Sequence, residues 1–248
     1  MSSIGTGYDL SSTTFSPDGR IFQVEYAQKA VDNSGTAMGL LCKDGVVLGV
    51  EKLVMSKMLC EGTSRRVHTV DDHAGMATAG LTADGRQLVY RARGEAENYE
   101  NLYGSPIPGH VLAERLAGFV HVYTLYWFVR PFGAAALLAT YDEDGPALSL
   151  VEPTGLVCRY VGTAIGKAKQ AAKNEIEKLD TKNMTCREGA KKVAEILYRI
   201  HDEVKDKAFE LELTWVCDES GRKHVRVPED FKRECEEEAK RLEEMDED

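Results

Sequence analysis

The sequence predicts an α+β fold in which two antiparallel β-sheets are covered by helices on their outer faces. Strand-like runs come as neighbouring pairs joined by short polar turns, which is the pattern of antiparallel hairpins. Amphipathic helical runs also come in pairs, and each pair follows a block of strands. No internal repeat and no linker rich in proline or serine divides the 248 residues, so we expect one folded domain.

A structured element precedes the first strand. Ser-Pro-Asp-Gly at residues 16–19 predicts a tight turn, because proline supplies a fixed φ and glycine follows two residues later. Beyond the turn, Phe22, Tyr26 and Ala30 recur at helical spacing. A short helix with an apolar face is not stable alone, so we expect it to lie against the domain.

The sequence pattern of the first half of the domain predicts two strand pairs followed by two helices. Lys-Asp-Gly at residues 43–45 separates two apolar runs and is a strong hairpin signal. Pro106 and Pro108 separate the two helical patterns that follow. The predicted elements are strands within residues 36–50, 66–70 and 75–79 and helices over residues 82–101 and 111–127.

The second half repeats this order and ends in a strand pair and a charged helix. Apolar and polar residues alternate over residues 209–217, which predicts a half-buried strand. Gly-Thr-Ala-Ile-Gly-Lys at residues 162–167 lacks the spacing of a phosphate-binding loop, so we expect a tight turn between a strand and a helix. The other predicted elements are strands at residues 133–140, 147–151, 157–161 and 224–227 and helices at residues 168–179 and 190–204.

Composition limits the classes of partner. The formal net charge is −10, and residues 228–248 hold eleven Asp and Glu against four Lys and Arg, or −7. The rest of the chain has no basic excess, so nucleic acid is not expected as a partner. No apolar run approaches the ~20 residues that cross a bilayer, so no membrane association is expected. Six scattered cysteines without a C-x-x-C pair predict reduced thiols in a cytosolic or nuclear protein.

Two stretches near the N-terminus carry a family resemblance. Phe-Ser-Pro-Asp-Gly-Arg at residues 15–20 and Gln-Val-Glu-Tyr-Ala at residues 23–27 resemble the N-terminal signature of the α-type subunits of the 20S proteasome. The resemblance continues through Arg-Pro-Phe-Gly at residues 130–133 and through residues 162–167 to about residue 227, and the chain ends resemble one α subtype above the others. It implies the four-layer αββα sandwich of the N-terminal-nucleophile hydrolases.

The resemblance also implies how the chain is divided and what it does. Residues 1–34 would be a gate tail and N-terminal helix, residues 35–227 the sandwich, and residues 228–248 an acidic C-terminal helix or tail. The function implied is that of a non-catalytic subunit of a hetero-heptameric α ring, stacked on β subunits in the cytoplasm and nucleus. Such a subunit helps to gate the proteolytic chamber and to dock regulatory particles. A free-standing interaction module whose acidic tail recruits partners is a weaker hypothesis.

A gate cluster follows from the resemblance. Tyr8, Asp9, Pro17 and Tyr26 match, residue by residue, the cluster that holds the tail in its open form in this family. The chemistry is plausible, because a tyrosine hydroxyl can donate to a carboxylate while a rigid proline turn backs a second aromatic ring. Many α subunits have arginine after Tyr-Asp, whereas this chain has Leu10, so an ion pair made by that arginine would be absent.

A docking pocket for activator tails is the second implied site. Arg66 stands where most family members have a lysine that pairs with the C-terminal carboxylate of an activator. Arginine keeps the positive charge and can bind a carboxylate through two N–H groups, although its geometry differs from that of lysine. Gly80 and Leu81 match the wall of the same pocket.

The alternative function is a threonine peptidase processed before Thr36. In the related β-type subunits, a threonine freed by cleavage is the nucleophile. Gly35-Thr36 looks like such a processing site. Alignment through residues 43–45, however, puts the nucleophile's position on Gly35, with Glu51 downstream and the position of the required lysine near Val67. Cleavage would also remove the N-terminal signature, so we predict no catalytic residue.

No cofactor or metal site is predicted. The six histidines include no pair at i, i+4 and form no cluster with the cysteines. Such spacings are what most histidine and cysteine metal sites require.

Overall fold

The described strands form two five-stranded antiparallel sheets. The computed structural model describes residues 7–56, 58–60, 62–201 and 209–247. In chain order the strands are β1 (Ala37–Cys42), β2 (Gly45–Leu53), β3 (Val67–Asp71), β4 (Ala74–Gly80), β5 (Ala134–Asp142), β6 (Gly145–Val151), β7 (Val157–Tyr160), β8 (Gly162–Ile165), β9 (Phe209–Cys217) and β10 (His224–Arg226). The first sheet has the order β10-β9-β2-β1-β8, and the second has the order β3-β4-β5-β6-β7.

The described residues form six helices, and five of them cover the outer faces of the two sheets. The six helices are α1 (Phe22–Asp32), α2 (Thr82–Tyr103), α3 (Gly109–Val122), α4 (Lys169–Ile176), α5 (Cys186–Arg199) and α6 (Glu229–Glu247). Helices α4, α5 and α6 share an apolar cluster with the first sheet, and α2 and α3 share one with the second. A third cluster lies between the sheets. The predicted α+β fold, a four-layer αββα sandwich, is therefore confirmed.

Local sequence signals account for several of these elements. Helix α5 begins with a capping box, in which the Thr185 hydroxyl accepts from the Glu188 N–H at 3.3 Å and the Glu188 carboxylate accepts from the Thr185 N–H at 2.8 Å. The capping box explains why this helix begins before the predicted residue 190. The end predicted near residue 204 lies outside the described residues, and the described helix ends at Arg199.

Helix α3 ends earlier than its apolar spacing predicted. It stops at Val122, and Trp127, which was predicted to continue its buried face, is 77% exposed. The Thr124 hydroxyl and N–H both donate to the His121 carbonyl, at 2.7 Å and 2.9 Å. These bonds close the last turn and satisfy a carbonyl that would otherwise continue the helix. The prediction of a helix through residue 127 was wrong.

The segment at residues 162–167 is also more than the predicted turn. Its first four residues form β8, which pairs antiparallel with β1 of the first sheet. The turn itself is at Gly166, which has a φ of +100° that favours glycine. The chain therefore passes from β7 in the second sheet to β8 in the first, a crossing that a local motif cannot reveal.

Candidate functional site

The N-terminal turn forms as predicted. The Gly19 N–H donates to the Ser16 carbonyl at 2.9 Å, so Pro17 occupies the second position of a four-residue turn. Gly19 has a φ of +72°, which explains why glycine follows the turn. Arg20, just beyond, makes a two-point ion pair with Glu25 in the first turn of α1, with one contact at 2.6 Å. The turn is thus tied directly to the helix.

Two of the four predicted gate residues are in contact. The Tyr26 hydroxyl, on α1, donates to Oδ2 of Asp9 at 3.2 Å. The Gln23 side-chain amide, one turn earlier on the helix, donates to the Asp9 backbone carbonyl. Desolvation, followed by the hydrogen bond to Asp9, raises the pKa of Tyr26, so the hydroxyl stays protonated as the donor. Helix α1 therefore holds the tail segment at both the backbone and the side chain of Asp9.

Tyr8 and Pro17 are not drawn into this contact. Tyr8 is 42% exposed, and within the described part of the chain it makes no hydrogen bond or ring contact. Pro17 is exposed on its turn. Leu10 is 87% exposed beside them. A single chain thus forms the Asp9–Tyr26 half of the predicted cluster and leaves the other members at the surface.

The predicted pocket residues line one cavity. Arg66, Gly80 and Leu81 all border a cavity of about 630 Å³ near the end of α1. Arg66 donates from Nη1 to the Gly80 carbonyl at 2.6 Å, which fixes the guanidinium against the wall. Ser34, which the sequence did not single out, also lines the cavity and accepts from the Gly80 N–H at 2.7 Å. All three predicted residues are therefore brought together.

The backbone at Gly80 requires glycine. Its φ is +113°, and a Cβ there would lie 2.1 Å from the Gly133 carbonyl oxygen. The next residue, Leu81, donates its N–H to that same carbonyl at 2.8 Å. Because the segments at Gly80 and Gly133 lie this close together, the Gly80 carbonyl is held in place as the acceptor for the Arg66 guanidinium.

Arg66 is a half-buried cation that makes no ion pair within the described residues. Burial lowers the pKa of its guanidinium, while the nearby Glu212 carboxylate opposes that effect. Glu212 is itself occupied, because its Oε2 accepts the backbone N–H groups of Arg66 and Val67 at 2.9 Å and 3.0 Å. The arginine thus retains N–H groups with which to bind an anion in the cavity.

Thr36, the alternative nucleophile, is buried within the chain. Its N–H donates to Oε2 of Glu51 at 3.1 Å, and its hydroxyl accepts from the Ala168 N–H at 3.3 Å. Oε1 of Glu51 lies 2.6 Å from Nδ1 of His201, and both side chains are buried. The Glu51 carboxylate, which lies beside Thr36, therefore already binds the Thr36 amide and the His201 imidazole.

The position expected for a catalytic lysine holds no cation. Val67 is buried in the cluster between the sheets. The neighbouring arginines point elsewhere, since Arg65 donates to the Gly62 carbonyl at 3.0 Å and Arg66 to Gly80. Neither of these cations is therefore directed at the Thr36 hydroxyl.

The described part of the chain offers no metal site. It contains no group of three or more histidine, cysteine, aspartate or glutamate side chains that could hold a metal ion. No helix within it is long and apolar enough to cross a membrane. All six cysteines are free, with Cys42, Cys186, Cys217 and Cys235 buried.

Comparison with known families identifies the chain. Residues 8–30 match the family of the N-terminal signature of α-type proteasome subunits, and residues 31–216 match the proteasome subunit family. The chain belongs to the proteasome family. Its signature makes it an α-type subunit, the non-catalytic kind that forms the outer ring of the 20S core together with other proteasome subunits.

Individual relatives agree with this assignment. The alpha type-3 proteasome subunit of Spinacia oleracea is 63% identical over 249 residues, with 100% of both chains covered. The protein of the same name from Arabidopsis thaliana is 61% identical, again over 100% of both chains. A probable alpha type-7 proteasome subunit of Saccharomyces cerevisiae is 48% identical over 87% of this chain and 76% of its own. The resemblance of the chain ends to one subtype, alpha type-3, is confirmed.

Several residues of these sites were not found from the sequence. Gln23, Ser34 and Glu212 each hold backbone groups of a predicted site residue, and His201 pairs with Glu51. Gln23 lies within the signature and could have been selected because it is one helical turn before Tyr26. The other three contact residues far away in the chain and have no local signal.

Proposed function

We propose that this α-type subunit is a non-catalytic gating subunit that controls access of substrates to the proteolytic chamber and docks regulatory particles. It would act in ubiquitin-dependent and ubiquitin-independent protein degradation. The observation that carries the proposal is the hydrogen bond from Tyr26 to Asp9, because it connects the N-terminal tail to a helix packed on the body. A tail held at one defined point can be switched between two positions by partners that favour one of them.

The gate consists of a fixed part and an exposed part. Asp9 is bound through its carboxylate and its carbonyl, while Tyr8 and Leu10 on either side of it are exposed. Exposed apolar side chains on an anchored segment are suited to contacts with the tails of neighbouring subunits. Leu10 would make an apolar contact where other α subunits use arginine, so its part in closure would not depend on salt.

The docking site is the cavity lined by Arg66, Gly80 and Leu81. A guanidinium without a carboxylate partner among the described residues, placed in a cavity of about 630 Å³, supports binding of a C-terminal carboxylate. The exposed side chain of Leu81 offers apolar contact to the residues before that carboxylate. Regulatory particles would therefore dock by inserting a chain end.

Catalysis by this chain is not proposed. The Thr36 nitrogen is a peptide amide that donates to Glu51, and an amide cannot serve as the base that a free N-terminal amine would provide. The subunit would contribute residues 1–34 as gate tail and helix, residues 35–227 as the sandwich and residues 228–248 as an acidic helix. We propose a hetero-heptameric ring stacked on β subunits, in the cytoplasm and nucleus.

An intact mass spectrum of the natively purified protein tests the absence of processing. A chain that begins at or next to Met1 within a very large complex supports the gating function. A mass that corresponds to a start at Thr36 would overturn it, because processing would remove the entire tail. The threonine peptidase would then be the better description.

A Tyr26→Phe variant assembled into core particles tests the gate. The ring is kept and only the hydroxyl that binds Asp9 is lost, so the open form of the tail becomes less populated. We expect hydrolysis of a small fluorogenic peptide, stimulated by a regulatory particle, to fall about two- to fivefold. Tyr90→Phe, at an exposed tyrosine of α2, is the matched control. Equal rates in all three particles would refute the gating role of this contact.

A further inference from the structure

A second cleft adjoins the proposed docking cavity, and Glu210 lines both. It has a volume of about 460 Å³ and lies between the loop at residues 62–67, the β9–β10 edge of the first sheet and the first turn of α6. Its lining includes four basic side chains, which are those of Arg65, Arg226, Lys232 and Arg233. No aromatic side chain of the described residues lines it.

Three of these cations lack an anionic partner. Arg65, Arg226 and Arg233 make no ion pair with any described residue, and Arg65 donates only to the Gly62 carbonyl. Lys232 differs, because its Nζ lies 3.8 Å from carboxylate oxygens of both Glu229 and Glu236. Three guanidinium groups are therefore available at one cleft.

The carboxylates that line the cleft are already occupied. Glu210 forms an ion pair with Lys52 at 2.7 Å. Glu212 accepts two backbone N–H groups, and burial raises the pKa of its carboxyl. Glu229 faces Lys232. The described lining therefore holds four cations against three carboxylates, two of which lie near a lysine, so the three arginines leave the cleft with a net positive charge.

A buried hydroxyl completes the set of donors. Thr214 lines the cleft and is only 5% exposed, and its Oγ1 has no hydrogen-bond partner among the described residues. A buried polar atom without a partner is uncommon and costs stability unless something satisfies it. Thr214 is paired with Arg226 in the β9–β10 register, so both side chains stand on the same face of the sheet.

We propose that this cleft binds the phosphate groups of a small polyanionic phosphate compound. Arg226 and the Thr214 hydroxyl would bind from the sheet, Arg65 from the loop and Arg233 from α6. Arginine suits phosphate because its planar fork donates two parallel N–H groups to two oxygens. The ligand would satisfy the hydroxyl of Thr214 and neutralise the arginine cluster.

Phosphate fits the set of donors better than a single carboxylate. Three guanidinium groups and a hydroxyl can offer more N–H and O–H donors than the roughly four lone-pair sites of one carboxylate can accept. A volume of about 460 Å³ exceeds the size of one phosphate group, which favours a compound with several. Because no aromatic side chain of the described residues lines the cleft, a nucleobase would gain no stacking and is not required.

Isothermal titration calorimetry of the full-length chain with inorganic tripolyphosphate tests the proposal. The buffer should hold ~0.15 M salt, so that weak non-specific attraction is screened. Adenosine triphosphate without magnesium is the second probe, because it carries the same triphosphate with a base attached. We expect saturable binding of tripolyphosphate and an affinity for adenosine triphosphate within about threefold of it.

Variants locate the binding. Arg226→Gln and Arg233→Gln should each weaken tripolyphosphate about tenfold, as expected for loss of a charge-assisted hydrogen bond. Arg159→Gln removes the same charge from an exposed arginine of β7, outside the cleft, and should leave the affinity unchanged. If Arg159→Gln weakened tripolyphosphate binding equally, the affinity would depend only on the net charge of the protein, and the proposed site would be refuted.

Thr214→Val separates a ligand role from a structural one. Valine keeps the shape and removes the unpartnered hydroxyl, so the melting temperature should stay the same or rise. Binding of tripolyphosphate should nevertheless weaken severalfold. Absence of saturable binding by the wild-type chain, or unchanged binding in both Arg226→Gln and Thr214→Val, would refute the proposal. An affinity for adenosine triphosphate more than tenfold tighter would refute recognition of phosphate alone.

Discussion

Nδ1 of His201 lies 2.6 Å from Oε1 of Glu51, and the other oxygen of the same carboxylate accepts the N–H of Thr36. This buried pair lies beside Thr36, the nucleophile of the alternative hypothesis. The carboxylate connects the start of β1, the end of β2 and the residues after α5. The Glu51 carboxylate thus joins three segments that are distant in the sequence.

Glu51→Ala should destabilise the fold by about 3 kcal/mol, because it leaves the buried Thr36 amide and the His201 imidazole without their partner. Urea unfolding of the full-length chain, followed by circular dichroism, measures the change. Lys191→Ala removes a surface cation that pairs with Glu234 and Glu238, and should change stability far less. Equal effects of the two substitutions would mean that the buried pair is not structural.

Arg66→Gln should weaken binding of an activator tail about tenfold, because the cavity loses the group that would bind the carboxylate. Arg66→Lys keeps the charge and should retain binding within about threefold. The measurement is the peptide concentration that gives half-maximal photo-crosslinking to this subunit in assembled core particles. The peptide is the C-terminal segment of a regulatory particle.

The same peptide with a C-terminal amide supplies the control for Arg66. If the guanidinium binds the carboxylate, amidation should weaken binding to the wild-type protein to the same extent as Arg66→Gln does. Amidation should then have little further effect on Arg66→Gln, because the two changes remove one interaction. If the effects of amidation and of Arg66→Gln were additive, Arg66 would act by holding the Gly80 segment in place and not by binding the carboxylate of the peptide.

Stability should fall with acidification because of His224. Burial between the sheets lowers its pKa to about 4, and its Nδ1 lies 2.9 Å from the Thr69 hydroxyl. The unfolded chain binds a proton near pH 6.5 and the folded chain only near 4, so the free energy of unfolding decreases across that interval. The loss should approach about 3 kcal/mol at pH 4.

Substitution of histidines separates this contribution from others. His224→Asn should flatten the decrease in the free energy of unfolding between pH 6.5 and pH 4, measured by urea unfolding at each pH. His110→Asn, at an exposed histidine, should leave the pH dependence unchanged. A pH dependence that persists in His224→Asn would assign it to other groups.

Gly80→Ala should cost more than about 2 kcal/mol, because the added Cβ would meet the Gly133 carbonyl oxygen at 2.1 Å in a backbone of positive φ. Gly94→Ala in the middle of α2 meets no atom within 4 Å and should stabilise by about 0.5–1 kcal/mol. Thermal melting of both variants gives the comparison. A neutral Gly80→Ala would show that the cavity wall can rearrange.

Short stretches of the sequence by themselves determined much of this protein. The turn before α1, the Asp44-Gly45 hairpin and the strand β9 were predicted because the residues that set each conformation are close in the chain. The prediction that β9 is half-buried was wrong for residues 213–217, which are buried on both faces because the strand lies between a helix layer and the second sheet. The family could be identified for the same reason, since the signature at residues 15–27 is continuous. Arg66, Gly80 and Leu81 were singled out from that resemblance, and the structure places them around one cavity, whose docking role is a proposal.

Only the tertiary structure decided the features that join distant segments. The apolar spacing of α3 could not show that Thr124 would end the helix, nor could residues 162–165 show that β8 would pair with β1. The Glu51–His201 pair likewise has no local pattern, and neither does the Thr214 hydroxyl, which lacks a hydrogen-bond partner among the described residues. Such contacts depend on which strands pair and how the two sheets stack, and these are set by the burial of apolar faces throughout the chain.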